Sequence, residues 1–92
     1  MTNAVQLEVY GRVQGVGFRW MTKLVADQLG IKGTVANRAD GSVKIIAMGP
    51  QAALEQFIGA VQASPSPSGQ VTKMIRTDLE NVSMCRKFSV VS

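Results

Sequence analysis

Apolar and polar residues alternate at the start of the chain. Val5, Leu7 and Val9 interleave with Gln6, Glu8 and Tyr10, which predicts a half-buried strand. The alternation stops at Gly11-Arg12-Val13-Gln14-Gly15-Val16-Gly17, where three glycines fall within seven residues. The period then changes. Over 18–29, Met21, Leu24, Val25 and Leu29 fit one helical face, and Arg19 points roughly the opposite way. Lys23 and Asp27 form an i,i+4 pair on the wet side, and Gly30 suits the C-terminal stop. A second strand is expected over 32–38. Asp40-Gly41 is a hairpin turn signal. A third strand over 42–48 alternates Val43, Ile45 and Ala47 with other residues, and Gly49-Pro50 should break it. Pro50 suits the first turn of a following helix, whose apolar stripe is Leu54, Phe57, Ile58 and Val61.

The tail is less regular. Residues 64–69, Ser-Pro-Ser-Pro-Ser-Gly, read as a loop. Residues 71–78 read as a fourth strand. Val71 and Met74 are three apart, so a β-bulge is needed to bring both to one face. Residues 80–87 fit neither period, and 88–91 read as a short final strand.

The order is β-α-β-β-α-β with an extra short C-terminal strand. This predicts an α+β, ferredoxin-like split βαβ fold: an antiparallel sheet with two helices on one face, in a single domain spanning 1–92. Right-handed crossovers make the first two strands parallel, with another strand between them. Their C-terminal ends then share one sheet edge, about 10 Å apart at a neighbour spacing of about 4.8 Å. The glycine stretch and Asn37 meet at that edge. Ile31, Gly33, Val35 and Asn37 share one strand face, so the Asn37 amide should point to the helix side, where it needs partners.

Composition narrows the chemistry. The chain has 92 residues, 46% of them apolar, and a net charge of +4. That balance favours anionic partners, although the basic residues form no block. The chain contains no histidine, which removes the commonest general base and transition-metal ligand. Cys85 is the single cysteine. It excludes an intramolecular disulfide, a thiolate cluster and a Cys–His nucleophile, and is read as an inert small residue. No signal peptide and no apolar run long enough for a bilayer are visible, so a cytoplasmic location with no membrane partner is expected.

The glycine stretch allows two readings, a tight strand-to-helix turn or an anion-binding loop. The N–H groups of a first helical turn lack intrahelical acceptors and can hold an anion. Gly17 would be the N-cap and brings no side chain to compete for them. Arg19 then sits where the helix dipole disfavours a cation. It is either a solvated helix residue or an anion ligand that relieves the conflict by forking onto two oxygens. The stretch is not a Walker A loop, and Trp20 stands where a dinucleotide-binding motif needs its third glycine. Asn37 is either a strand-end residue satisfied by its own turn or a holder of water or substrate. Arg12 and Arg38 read as solvated charges, Asp40 as a turn residue, and Trp20 as a partly buried packing residue more than a flank of the site.

Taken together, Gly11-Arg-Val-Gln-Gly-Val-Gly-Phe-Arg19, Leu29-Gly-Ile-Lys-Gly33-Thr-Val-Ala-Asn37, Asp40-Gly-Ser-Val43 and Gly49-Pro50 resemble the acylphosphatase family. The likeness is close over about 4–63 and looser through Phe88. The chain departs from the family pattern at Thr34, at Ala36 and over 64–87. The resemblance implies the ferredoxin-like fold and hydrolysis of a mixed carboxylic–phosphoric anhydride without metal or cofactor. It makes Arg19 the phosphate-binding arginine and Asn37 the holder of the attacking water. The phosphate is expected on the N–H groups of Val13, Gln14, Gly15, Val16, Gly17 and Phe18. The implied partners are a small acyl phosphate and inorganic phosphate, the latter as product and inhibitor, with no nucleic acid and the chain acting as a monomer. Two rivals share the fold. One is a noncatalytic phosphate- or RNA-binding module, which would stack bases on sheet aromatics. The other is a carbamoyl-phosphate-handling or regulatory domain of a larger assembly.

Overall fold

The structure, a computed structural model, describes residues 2–80 and 85–91. Its elements are β1 (Thr2–Arg12), α1 (Phe18–Leu29), β2 (Lys32–Asn37), β3 (Val43–Pro50), α2 (Gln51–Gln62), β4 (Gln70–Leu79) and β5 (Phe88–Val91). The sheet order is β4-β1-β3-β2-β5. β3 runs antiparallel to both β1 and β2, so β1 and β2 are parallel with β3 between them, as the topology required. β4 lies antiparallel to β1. The short β5 pairs parallel to β2, which makes the complete five-stranded sheet mixed. No helix among the described residues is long and apolar enough to cross a membrane.

The core lies between one sheet face and the helices. Val5, Leu7 and Val9 of β1, Val43, Ile45 and Ala47 of β3, and Val35 of β2 are buried there. Leu54, Phe57, Ile58 and Val61 of α2 cover them, as their spacing predicts. Burying one such side chain contributes about 1.5–3 kcal/mol.

α1 departs from its expected stripe. Its buried residues are Phe18, Thr22 and Ala26. Val25 and Leu29 pack on the flank of the core, while Met21 and Leu24 are only half-buried. α1 rests on β2 and β5 and beside α2. Small side chains at Thr22 and Ala26 allow that close approach, and the larger ones are left to the sides.

Two further boundaries move. β3 continues through Gly49 and Pro50, which pair with Asn3 and Thr2. Pro50 is therefore the extended N-cap of α2 and not a residue of its first turn. In β4, Val9 faces Met74 and Tyr10 faces Lys73, but Gly11 faces Val71. Thr72 is the extra residue, and this bulge lets Val71 and Met74 both pack against the core. The irregular 80–87 stretch falls partly outside the described residues. Within it, the Cys85 N–H donates to Met48 Sδ at 3.4 Å. That contact places Cys85 against the sheet face away from the helices.

Candidate active site

The polypeptide leaves β1 at Arg12 and enters α1 at Phe18, and the loop between them curls at Gly15 and Gly17. Both glycines have left-handed backbones, with φ of 73° and 77°, a region L side chains rarely adopt. A Cβ on either would meet no protein atom within 4 Å, because the space in front of them is open. Gly17 is the N-cap and makes no side-chain capping bond. Its carbonyl accepts the first helical hydrogen bond, from the Met21 N–H at 3.0 Å. Among the described residues, no acceptor is found for any N–H from Val13 to Phe18. The first turn of α1 carries no acidic residue to offset its dipole.

That open space is a cavity of about 190 Å³. Val13, Gly15, Gly17 and Phe18 line it from the loop, and Arg19 and Asn37 line it from the start of α1 and the end of β2. Of the six residues expected to present their N–H groups, Gln14 and Val16 are not in the lining. The two side chains singled out from the sequence, Arg19 and Asn37, share this one cavity. The ladder explains the meeting: Asn37 sits opposite Val43, and Val43 opposite Val9, near the point where β1 gives way to the loop.

Asn37 is the polar anomaly of the site. Its Oδ1 is buried and has no hydrogen-bond partner. A buried amide oxygen left unpaired costs about 1–3 kcal/mol, so a strand-end residue satisfied by its own turn would not look like this. Arg19 makes one hydrogen bond within the protein among the described residues. One of its terminal N–H groups donates to the Val91 carbonyl at 3.1 Å. A guanidinium has five donors, and the rest stay available.

Three supports of the loop lie outside the sequence reading. The Gln14 amide nitrogen donates to the carbonyls of Arg38 and Ser42, each at 2.8 Å. It ties the loop to the β2–β3 hairpin that carries Asn37. The buried Ser66 hydroxyl donates to the Val16 carbonyl at 2.6 Å, so the Ser-Pro loop braces the glycine loop from below. β5 supplies the third support through Val91. No local pattern announces any of these, since each joins residues 24 or more positions apart. Asp40 does act as a turn residue: its carboxylate accepts from the Ser42 hydroxyl and N–H. Those bonds hold its pKa below the ordinary carboxylate range.

Arg38 is not a free charge. It pairs with Glu8 at 2.7 Å, away from the cavity. Trp20 corrects the sequence reading, because it is not packed inward: it is 57% exposed and lines the cavity. Val90 joins it there. The sheet face away from the helices offers little to stacked bases. Tyr10 is its one described aromatic, and Lys73 lies over that ring at 5.6 Å.

Unpaired amide donors, a guanidinium and an unpartnered carboxamide at the rim of a ferredoxin-like sheet make a small α+β domain able to grip an oxyanion and a water together. Comparison with known proteins identifies which one. The acylphosphatase family model matches residues 5–90, so the likeness runs through the tail that the motifs alone covered loosely. The chain is 72% identical over 91 residues to an acylphosphatase of Latilactobacillus sakei, covering 99% of each. The crystal structure of acylphosphatase from Bacillus subtilis superposes with a TM-score of 0.93 at 40% identity, covering all of both chains. Full-length HypF, in a phosphate- and nucleotide-bound form, contains a similar unit: TM-score 0.91, 27% identity, all of this chain and 12% of that one. The chain belongs to the acylphosphatase family, and it is a hydrolase with acylphosphatase function.

Proposed function

We propose that the cavity seats the phosphoryl group of an acyl phosphate and that the chain releases a carboxylate and inorganic phosphate in one displacement. The phosphoryl oxygens lie on the N–H groups of the Val13–Phe18 stretch. Arg19 binds two nonbridging oxygens through the donors that Val91 leaves free. Asn37 Oδ1 accepts a hydrogen bond from the attacking water and aims its oxygen at phosphorus. The new P–O bond forms as the bond to the carboxylate oxygen breaks, and the electron pair leaves with the carboxylate. The water proton passes to a phosphate oxygen of the substrate. A carboxylate leaves readily because its conjugate acid has a pKa near about 4. Positioning and preorganised electrostatics therefore suffice, and a chain without histidine can run the reaction.

The observation that carries this reading is that Asn37, whose Oδ1 is buried and unpartnered, lines the same cavity as Arg19. Inorganic phosphate, the product, competes for the same cradle. The test is phosphate release from a synthetic acyl phosphate with a metal chelator present. Release that survives the chelator supports the reading. Arg19→Ala should lower both turnover and inhibition by inorganic phosphate, whereas Asn37→Ala should lower turnover far more than that inhibition. Equal loss of phosphate binding in both variants would contradict the division of labour.

A further inference from the structure

The Ser-Pro loop over 64–69 has no residue in the cavity lining, yet it packs against the glycine loop from below. Gly69 makes the close approach possible. A Cβ there would lie 3.1 Å from the Arg12 carbonyl oxygen and 3.5 Å from the Phe18 ring. Arg12 ends β1 and Phe18 begins α1, so these contacts fall on the two ends of the stretch that carries the unpaired N–H groups. Between them one side chain crosses over. The Ser66 hydroxyl donates to the Val16 carbonyl at 2.6 Å, and Ser66 is 3% exposed.

Ser66 is itself held on both sides. Its carbonyl accepts from the Ser64 hydroxyl at 2.9 Å and from the Gly69 N–H at 3.0 Å. Ser64 takes a left-handed backbone with φ of 67°, alone among the described non-glycine residues, a conformation uncommon where a Cβ is present. A loop tied down in this way presents the Ser66 hydroxyl at one place.

The Val16 carbonyl and the Gly17 N–H belong to one peptide unit, planar and trans, so they point in opposite directions. Gly17 lines the cavity, whereas Val16 and Ser66 do not. The Gly17 N–H has no acceptor among the described residues. Gly17 accepts φ of either sign, so backbone sterics alone do little to stop this peptide unit from turning over. Turned over, it would present a carbonyl oxygen to the negative oxygens of a phosphoryl group. A hydrogen bond accepted by the carbonyl also polarises the N–H of the same unit.

Resting on the function proposed above, we infer that Ser66 is a positioning residue of the phosphoryl site. Its hydroxyl holds the Val16 carbonyl beneath the loop and thereby turns the Gly17 N–H toward the phosphoryl oxygens.

The test assays Ser66→Ala with acetyl phosphate as substrate and inorganic phosphate as inhibitor. KM and the Ki for phosphate should both rise about tenfold, the scale of one hydrogen bond to a charged group, and kcat should fall far less. A hydroxyl that merely supports the fold would act differently. The folded fraction and the apparent kcat would then fall together with KM and Ki unchanged, and that result overturns the inference. Ser66→Cys keeps a side chain of similar shape with a weaker donor, so it decides the same question should Ser66→Ala fail to fold. A phosphate titration followed through backbone amide NMR signals reads the site without turnover. The Gly17 signal should move in the unmodified chain, and in Ser66→Ala it should need about tenfold more phosphate to do so. Equal movement in both also overturns the inference. If phosphate moves no amide signal from Val13 to Phe18 in the unmodified chain, the proposed phosphoryl site falls and the inference with it. A chain that binds phosphate there but cleaves no acetyl phosphate would sink only the proposed hydrolysis, and the titration would still decide the role of Ser66.

Discussion

Among the described residues, two buried side-chain oxygens lack hydrogen-bond partners, Asn37 Oδ1 and Thr22 Oγ1, and they lie in regions of opposite character. Asn37 ends a strand at an open cavity beside Arg19. Thr22 lies on the buried stripe of α1, between Phe18 and Ala26, and is not among the residues that line that cavity. An unpaired polar atom carries the same kind of cost in both places. At the rim, that cost accompanies a side chain that lines a cavity beside a guanidinium. In the stripe, it accompanies only a side chain small enough to let α1 approach the sheet. An unsatisfied atom therefore points to function only when its residue lines a space that a ligand can enter.

The contrast can be broken at the rim first. Asn37→Ala should reduce kcat by about 10²–10³-fold, the range seen when one preorganised polar group is removed from an active site. Its stability should hold or rise, since the unpaired oxygen leaves with the side chain. Steady-state kinetics and urea denaturation on the same preparation check both parts. A large loss of stability would make Asn37 a structural residue and erase its difference from Thr22.

Gln14→Ala sharpens the comparison from the loop side. It removes two hydrogen bonds that hold the cradle against the Asn37 hairpin. At about 0.5–1.5 kcal/mol each, the loss should be about 2 kcal/mol in stability. Activity should fall by about tenfold or more, because a shift near 1 Å in a positioning group is costly. Full activity in this variant would show that the loop holds its place without the tether.

Thr22→Val tests the other region. The swap keeps the shape and removes the unpaired hydroxyl, so stability should rise by about 1 kcal/mol with kcat and KM unchanged. The urea midpoint should move up with no change in slope. A drop in stability would mean that the hydroxyl has a partner, such as a buried water.

The smallest effect is a pH dependence at the hairpin. Hydrogen bonds from Ser42 lower the Asp40 pKa. The folded value thus lies below the unfolded one, near about 3.9. The stabilisation is complete above that unfolded value and is lost as pH falls through the depressed folded value. Asp40→Ala should flatten this acid limb of a stability–pH curve and leave neutral kinetics nearly unchanged. A curve that keeps its acid limb would assign the titration to another carboxylate.

Much of this molecule was legible in one dimension. Val5, Leu7 and Val9 alternate and are buried as a set; Leu54, Phe57, Ile58 and Val61 repeat at the helical period and are buried as a set. Even the bulge at Thr72 follows from the spacing of Val71 and Met74. Arg19 and Asn37 could be picked out because each broke a local rule: a cation at a helix N-terminus, and an amide on a core-facing strand position. The stripe of α1 was misread because hydrophobic spacing records which residues are apolar. It does not record how closely the helix must approach, and that distance selected Thr22 and Ala26 for burial. Trp20 was misread for a related reason, since an indole suits a core and a cavity wall equally well by composition.

The order of elements and the period of each were therefore fixed along the chain, because they depend on backbone hydrogen bonding and on side chains a few residues apart. The parallel docking of β5, the tethers from Gln14 and Ser66, the carbonyl of Val91 on Arg19 and the apolar wall beside it were settled only by tertiary structure. Each depends on the direction and register with which distant segments meet. No local pattern encodes those, because many pairings have similar local energies and only closure of the whole sheet and core selects among them.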